Sequence, residues 1–384
     1  MSFKLPNTGT TIFSVMTALA NKSGAVNLSQ GFPDFDPDAS LLEYVTKAMM
    51  EHKNQYAAMP GALTLRNALS LKYQHFFNVP VDPDLNVTIT PGGTAALFTA
   101  IATVVNGGDE VLVFDPAYDS YAPSVEILGG RVVRSPLQLP SYTPDWQHVR
   151  SVVTDRTKLI IINSPHNPSG TMWSRADYSE LAVLCEELDC FVLADEVYDL
   201  ITYERNHTSV LSLPALKDRC FVVCSFGKLV HATGWKVGAC IANTELTQEF
   251  RKLHQFINFS VNTPMQEALG AYLETLKPLE TLAPFLQIKR DRFAQALKTS
   301  LWNIRPCHGT YFQLLDYSAF WNGSDMDLAQ LLVSEFKVAC IPLSPFVSNG
   351  NSDTAVRLCF AKQEGVLDLA AERLTKAAAA LASR

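Results

Sequence analysis

The chain has 384 residues, which is longer than most single hydrophobic cores, so two domains are expected. Its composition, 47% hydrophobic and 18% charged, is typical of globular proteins and excludes a disordered chain. The net charge of -7 is spread without basic runs, which argues against nucleic acid or an anionic membrane as a partner and favours small molecules.

Neither export nor membrane insertion is expected. The first residues lack a charged head followed by an apolar stretch, and no apolar run approaches the length of a membrane span. The eight cysteines include no Cys-x-x-Cys pair and lie mostly in apolar segments, so we expect free buried thiols, no metal site and no disulfide framework. These features predict a cytoplasmic protein.

Between about residues 86 and 243, β-branched runs alternate with helical patterns. The predicted strands cover 86–90, 110–114, 131–133, 159–162, 191–194, 221–223 and 237–241. This alternation predicts an α/β fold with a mainly parallel, mixed sheet sandwiched by helices, whose ligands bind beyond the carboxyl ends of the strands. Residues 94–105 are apolar nearly all round and predict a central buried helix whose N-terminus faces the site.

The pattern changes beyond Pro278. Helical stretches at 285–299, 327–336 and 364–381 alternate with predicted strands at 310–315 and 354–360. We interpret this part as a smaller α+β domain. The expected division is a large domain of residues 37–277 and a small domain formed by residues 1–36 and 278–384.

Polar side chains follow three of the predicted strands of the large domain. Ser225-Phe-Gly-Lys228 follows one strand, Asn163-Ser-Pro-His-Asn167 the second and Asp195-Glu-Val-Tyr198 the third. The resulting amine, amide, carboxylate and phenol are the groups needed to hold a pyridoxal ring, with an amine for an imine and an acid for the pyridine nitrogen.

Each of these residues also has a purely structural interpretation. Asp195 could cap a helix, Asn167-Pro could be only a turn, and Gly93-Thr94 could be a plain helix cap. A surface role for Lys228 is disfavoured, because the residue follows a buried strand. For an arginine among apolar neighbours, as at Arg357, the alternative is an internal salt bridge.

Nine motifs in order make the chain resemble fold-type I, class I/II pyridoxal-phosphate aminotransferases, in particular bacterial methionine aminotransferases and kynurenine/glutamine transaminases. The motifs are Asn27-Leu-Ser-Gln-Gly31-Phe-Pro-Asp-Phe35, Asn54-Gln-Tyr56, Pro91-Gly-Gly-Thr-Ala95, Asp115-Pro-Ala-Tyr118-Asp-Ser-Tyr121, Pro165-His-Asn167-Pro, Asp195-Glu-Val-Tyr198, Ser225-Phe-Gly-Lys228, Thr233-Gly-Trp-Lys-Val-Gly238 and Arg357. The resemblance runs nearly end to end and implies the aspartate-aminotransferase-like fold.

The resemblance implies pyridoxal 5'-phosphate as the cofactor. Lys228 is then the imine-forming lysine and the proton shuttle, and neighbouring cations and low polarity should lower its pKa. Asp195 should pair with the pyridine nitrogen, and Tyr198 and Asn167 should hydrogen-bond the phenolate oxygen. The residues implied for the phosphate are Gly93, Thr94, Ala95, Ser225 and Lys236, the last of which is an arginine in many relatives.

The remaining implied roles concern the substrate and a second subunit. Arg357 should fork around the substrate α-carboxylate, with Gly31 and Asn167 beside it. Tyr118 resembles the residue that stacks on the cofactor ring. Tyr56 resembles the tyrosine that reaches a neighbouring subunit's phosphate, which implies a homodimer with a shared active site and places residues 254–262 near the partner's site.

The resulting hypothesis is a ping-pong transaminase that moves the amino group of an L-amino acid to a 2-oxo acid through pyridoxamine phosphate. Aromatic residues such as Phe13, Phe32 and Tyr118, without an obvious second arginine, favour methionine or aromatic substrates over aspartate. A cysteine-conjugate or cystathionine-type β-lyase is the alternative that the sequence hardly separates. We expect the small domain to close on substrate.

Two other classes fit less well. A nucleotide-binding oxidoreductase should carry Gly-x-Gly-x-x-Gly after its first strand, and the chain has none there. A transcription regulator built on this fold would need an additional DNA-binding domain, for which the chain leaves no room.

Overall fold

The computed structural model describes residues 4–6, 8–348 and 353–384. Residues 1–3 and 7 lie outside the described residues. They include the expected start of the small domain and most of the N-terminal stretch in which no export signal was expected. The helices are α1 Ile12–Ser23, α2 Ala39–Met50, α3 Leu63–Phe77, α4 Gly93–Val104, α5 Tyr121–Ile127, α6 Trp146–Val152, α7 Arg175–Leu188, α8 Phe226–Leu229, α9 Thr244–Ile257, α10 Thr263–Tyr272, α11 Lys277–Leu297, α12 Asp325–Ser334 and α13 Glu364–Ala382.

The strands fall into a large sheet and two smaller ones. They are β1 Val26–Asn27, β2 Val87–Thr90, β3 Glu110–Asp115, β4 Arg131–Pro136, β5 Thr157–Asn163, β6 Phe191–Asp195, β7 Cys220–Ser225, β8 Gly238–Ile241, β9 Asn303–Ile304, β10 Phe312–Asp316, β11 Val338–Ala339, β12 Ile341–Pro342 and β13 Ala355–Cys359. All the predicted strands are present, with ends shifted by at most three residues.

The large sheet has seven strands in the order β2-β8-β7-β6-β5-β3-β4. Strands β3 to β7 run parallel to one another, while β8 is antiparallel to both β2 and β7. The inner strand β3 is buried along its whole length, whereas the edge strand β4 alternates between buried and exposed residues. The predicted mainly parallel, mixed sheet is confirmed.

Helix α4 lies against this sheet and forms much of its second core. Its buried residues, including Ala96, Leu97 and Ile101, pack with Phe221 and Val223 of β7. The helix begins at Gly93, one residue before the predicted start. An ideal Cβ on Gly93 would lie 3.3 Å from Val197 Cγ1, just beyond β6. The N-terminus of α4 therefore meets the carboxyl edge of the sheet, as predicted.

The C-terminal part carries an antiparallel sheet of four strands, β12-β13-β10-β9, with α12 against β12 and β13, while α11 packs on α13. The N-terminal segment lies on it, because Leu28 O accepts the Cys359 amide (2.8 Å) and Leu28 N donates to Ala339 O (3.0 Å). The predicted start of a helix at residue 285 is wrong, since α11 begins at Lys277. Pro278 does not break the helix, because a first-turn residue needs no intrahelical N–H bond.

None of the described helices is long and apolar enough to cross a membrane. All eight cysteines are buried and none is paired in a disulfide.

Candidate active site

A cleft of about 280 Å³ lies at the carboxyl edge of the large sheet. Its walls come from the ends of β5, β6 and β7, the start of α4, the segment around Gly31, and strands β10 and β13. It is lined by all the predicted site residues except Tyr56 and Ala95, namely Gly31, Gly93, Thr94, Tyr118, Asn167, Asp195, Tyr198, Ser225, Lys228, Lys236 and Arg357.

Lys228 lies in the one-turn helix α8, directly after β7. Its Nζ donates to Gly31 O (3.2 Å) and lies 5.7 Å from the ring centroid of Tyr198. Burial lowers the pKa of Lys228 to about 8, and the charges of Arg357 and Lys236 act in the same direction. A substantial share of the amine is therefore neutral near physiological pH, as a nucleophile requires.

Asp195 ends β6 and is 4% exposed. Its Oδ2 accepts a hydrogen bond from the Tyr121 hydroxyl (2.5 Å), while Oδ1 accepts only a long bond from Val197 N (3.4 Å). Burial raises the pKa of Asp195 to about 6, although the Tyr121 hydrogen bond opposes this shift. No helix starts at Asp195, so the capping interpretation is wrong.

Tyr121 and Asn163 were not predicted as site residues from the sequence. Tyr121 follows Tyr118 by three residues, a spacing that places both on one face of a helical turn. This spacing could have indicated that Tyr121 lies near the site with Tyr118. The Asn163 side chain donates to Asp195 O (2.8 Å) and accepts from Asn167 N (2.8 Å), so it joins the ends of β5 and β6. Thr233 also lines the cleft and was not predicted.

Arg357 is 1% exposed and lies on β13. Its guanidinium donates to Asn167 Oδ1 (2.7 Å) and Ser29 O (3.0 Å) and lies 4.0 Å from the Phe312 ring centroid. Among the described residues no carboxylate forms an ion pair with it, and its Nε has no hydrogen-bond partner. The internal salt bridge considered from the sequence is therefore not found there, and a buried cation is left facing the cleft.

The start of α4 has the features of an anion site. Gly92 precedes the helix with φ of 87°, and no side chain caps it, so the N–H groups of Gly93, Thr94 and Ala95 have no intrahelical acceptors. An ideal Cβ on Gly92 would lie 3.1 Å from Lys236 Nζ. Ammonium and backbone N–H groups thus converge with the Ser225 hydroxyl at this helix terminus, where the dipole also favours an anion.

The surroundings of three further predicted residues, Tyr118, Tyr56 and Gly31, differ from one another. Tyr118 lines the cleft, and its ring meets the ring edge of Tyr121 at 5.7 Å. Tyr56 is 84% exposed, packs on Phe259 and lies outside the cleft of its own chain. The carbonyl of Gly31 is engaged by Lys228 and Tyr311, so only its N–H remains for a substrate carboxylate.

The family model of aminotransferase class I and II matches residues 23–374, and the chain belongs to this family. It is 46% identical over 374 residues to the methionine aminotransferase of Escherichia coli strain K12, with 97% of both chains covered. A crystal structure of YbdL from Escherichia coli, described as having a methionine aminotransferase function, aligns with a TM-score of 0.96 at 45% identity, covering 98% of this chain and 99% of that one.

More distant relatives agree with this result. Human kynurenine–oxoglutarate transaminase 3 is 33% identical over 401 residues, covering 94% of this chain and 86% of that one. A structure of Thermus thermophilus aspartate aminotransferase with maleate aligns with a TM-score of 0.89 at 27% identity, covering 98% of this chain and 99% of that one. The expected aspartate-aminotransferase-like fold and aminotransferase activity are confirmed, and the β-lyase alternative is not favoured.

Proposed function

We propose that this aminotransferase uses pyridoxal 5'-phosphate to move the amino group of an L-amino acid, with methionine or aromatic side chains preferred, to a 2-oxo acid in a ping-pong cycle. The observation that carries the proposal is the buried Lys228 amine, which faces a cleft with the Asp195 carboxylate and the N-terminus of α4 on its walls. The similarity to a methionine aminotransferase supports the substrate preference.

The residues of the cleft fit this cofactor. Lys228 would hold it covalently, and the uncapped start of α4, with Ser225 and Lys236, would bind its phosphate. The buried carboxylate of Asp195 lacks a cationic partner in direct contact, which a protonated ring nitrogen would supply. When bound, the cofactor supplies an aldehyde and an electron-withdrawing ring that accepts the electron pair of the substrate Cα–H bond.

The side chains of the cleft then divide the work of the reaction. Arg357 binds and orients the substrate α-carboxylate, and Asp195 keeps the ring nitrogen protonated. The freed Nζ of Lys228 removes the proton from the substrate Cα and later returns a proton. Asn167, whose oxygen is engaged by Arg357, offers its N–H groups to the phenolate oxygen together with the Tyr198 hydroxyl.

The walls around Arg357 account for the preferred substrate. The rings of Phe13, Phe32 and Phe312 line the cleft, and Arg357 is its only arginine among the described residues. A second substrate carboxylate would therefore be buried against aromatic carbon without a partner charge. Neutral, apolar side chains such as that of methionine are favoured over aspartate.

Borohydride reduction of the purified enzyme followed by peptide mapping tests the cofactor proposal. We expect a pyridoxyl group on Lys228 in the wild type and no labelled peptide in Lys228→Ala. A donor survey tests the preference, with methionine and phenylalanine expected to exceed aspartate in kcat/KM. An unlabelled wild-type protein would overturn the cofactor proposal, and a preference for aspartate would overturn the substrate proposal.

We also propose a homodimer, a cytoplasmic location and the division into domains 37–277 and 1–36 with 278–384. The homodimer is supported by exposed apolar side chains around Tyr56, namely Phe259 (49% exposed), whose ring it contacts, and Met49 (43% exposed). The location is supported by the eight unpaired thiols. The domain division is supported by the separate sheets of residues 87–241 and 303–359.

A further inference from the structure

The carbonyl oxygen of Gly31 accepts two hydrogen bonds from side chains that lie far away in the sequence. The Tyr311 hydroxyl donates to it at 2.6 Å, and Lys228 Nζ donates to it at 3.2 Å. A carbonyl oxygen has two lone pairs, and both are used here. The short tyrosine bond holds the carbonyl group in one orientation, and with it the lone pair that remains for Lys228.

Tyr311 is held firmly in its place. It is fully buried, and its ring meets the ring edges of Tyr198 (5.3 Å) and Phe312 (4.9 Å). The preceding carbonyl, of Thr310, accepts the hydroxyl of Tyr203 (2.8 Å). The Tyr311 hydroxyl therefore cannot turn away from Gly31 without disturbing packed aromatic neighbours.

Gly31 and Tyr311 belong to the same part of the molecule, while Lys228 belongs to another. The segment that carries Gly31 is bonded to the antiparallel sheet through Ser29 O, which accepts from Arg357, and Phe32 O, which accepts from Lys362 (2.8 Å). Lys228 instead follows β7 of the large sheet. The Tyr311–Gly31 bond thus lies within one part, and the Lys228–Gly31 bond joins the two parts.

We propose that Tyr311 is a positioning residue, which fixes the Gly31 carbonyl as the acceptor that holds the Lys228 amine whenever that amine is not attached to the cofactor. The proposal rests on the proposed role of Lys228 as the proton carrier. One N–H of the free amine donates to Gly31 O, which leaves the nitrogen lone pair in a defined direction for the substrate Cα proton. A freely rotating amine would sample many unproductive directions.

The variant Tyr311→Phe removes only the hydroxyl and keeps the ring. The measurement is the half-reaction of the holoenzyme with methionine, followed by the absorbance of the bound cofactor. We expect the maximal rate to fall on the order of tenfold, because Tyr311→Phe weakens the Lys228–Gly31 bond, which forms only when the amine is free for proton transfer. The methionine concentration at half-saturation should stay within about twofold, since Tyr311 does not line the cleft.

Two further measurements separate positioning from general destabilisation. The deuterium isotope effect with Cα-deuterated methionine should rise in Tyr311→Phe, because proton transfer becomes slower than the other steps. In the apoenzyme, amide hydrogen exchange should quicken in residues 28–36. The matched control Tyr142→Phe loses a hydroxyl bond of a buried tyrosine, to Asp353 Oδ2 (3.0 Å), without touching Gly31 or Tyr311, and its isotope effect should remain that of the wild type.

A donor at position 311 should rescue the reaction. 4-Aminophenylalanine places an N–H donor where the hydroxyl was, so it should restore most of the rate lost in Tyr311→Phe. The proposal is overturned if Tyr311→Phe reacts within twofold of the wild-type rate, or if Tyr142→Phe loses as much rate and gains as large an isotope effect as Tyr311→Phe. Failure of the proposed function is distinguishable from failure of this proposal, because the wild type itself would then show no absorbance change with any amino donor.

Discussion

At the scale of single residues, the properties of the cleft follow from charges held away from water. Lys228 and Arg357 are both cations and are close enough to influence each other. Arg357 is fully buried and Lys228 partly, and desolvation lowers the pKa of each. Asp195 is a buried anion whose pKa is raised. Desolvation thus acts on all three groups, and each can gain stability from a ligand of opposite charge.

The pKa of Lys228 predicts the pH dependence of cofactor uptake. Because only the neutral amine attacks an aldehyde, the rate at which apoenzyme binds pyridoxal phosphate should rise with pH and reach half its maximum near pH 8. Stopped-flow absorbance from pH ~6.5 to ~9.5 measures this. Arg357→Met removes one nearby cation and should shift the half-point to higher pH. A wild-type half-point close to the ordinary lysine value of 10.5 would contradict the prediction.

The substitution Asp195→Asn should stabilise the apoenzyme while it removes activity. Burial raises the pKa of Asp195 from 3.8 to about 6, so the folded state binds more protons than the unfolded chain between these values. The ionised carboxylate therefore destabilises the fold above that range, by an amount on the order of 3 kcal/mol. Denaturant unfolding of the apoenzyme should show the variant more stable at neutral pH.

The same comparison at low pH provides the control. Below pH ~4 the carboxyl group is protonated in both the folded and the unfolded wild type, so the stability advantage of Asp195→Asn should shrink there. An advantage that is equal at all pH values, or a variant less stable at neutral pH, would refute the electrostatic explanation.

At the scale of elements, the turn before α4 depends on β8. An ideal Cβ on Gly238 would lie 2.7 Å from Gly92 C and 2.8 Å from Gly93 N. Both contacts are with backbone, which cannot move aside cheaply. The close approach of β8 therefore helps to hold the N–H groups of α4 in the position of an anion site.

Gly238→Ala should displace this turn. We expect the dissociation constant for pyridoxal phosphate to rise by about tenfold or more, and the free energy of unfolding to fall by about 1–3 kcal/mol. Equilibrium titration and denaturant unfolding measure these effects. Gly365→Ala, in the first turn of α13 with open space around it, is the control and should leave cofactor affinity unchanged. Unchanged affinity in Gly238→Ala would contradict the prediction.

At the scale of the whole molecule, the exposed position of Tyr56 makes the proposed shared active site testable by subunit mixing. Lys228→Ala and Tyr56→Phe should each have low activity alone. A mixed dimer has one cleft with an intact Lys228 and an intact Tyr56 from the partner, so activity should rise after the two variants are mixed and reassociated. Adding Phe256→Asp to both should prevent association and abolish the recovery. No recovery from folded, exchanging dimers would refute the shared site.

The contact between the cleft and the C-terminal sheet predicts closure on substrate. Arg357 lies on β13, whereas Lys228 and Asp195 follow strands of the large sheet, so a substrate bound to all three bridges both parts. Crystals with and without a non-reactive methionine analogue should differ by a rotation of residues 12–36 and 278–384 relative to the large sheet. Superposition without such movement would show the prediction to be wrong.

Local pattern was sufficient to predict the strands of the large sheet and the residues at their ends. The apolar runs before Asn163, Asp195 and Ser225 mark buried parallel strands, whose carboxyl ends must share one edge. The start of α11 was predicted at residue 285, directly after Pro284, but the helix begins at Lys277, has Pro278 in its first turn, where proline is tolerated, and continues through Pro284.

The sequence by itself determined the class of fold and many of the side chains that face the cleft, since these depend on periodicity and on ordered motifs. Only the tertiary structure decided what those side chains bond to. Tyr121 reaches Asp195 across 74 positions, and Tyr311 reaches Gly31 across 280. Such partners meet because separate elements pack together in space, and no local pattern of residues encodes a hydrogen bond between segments so far apart in the chain.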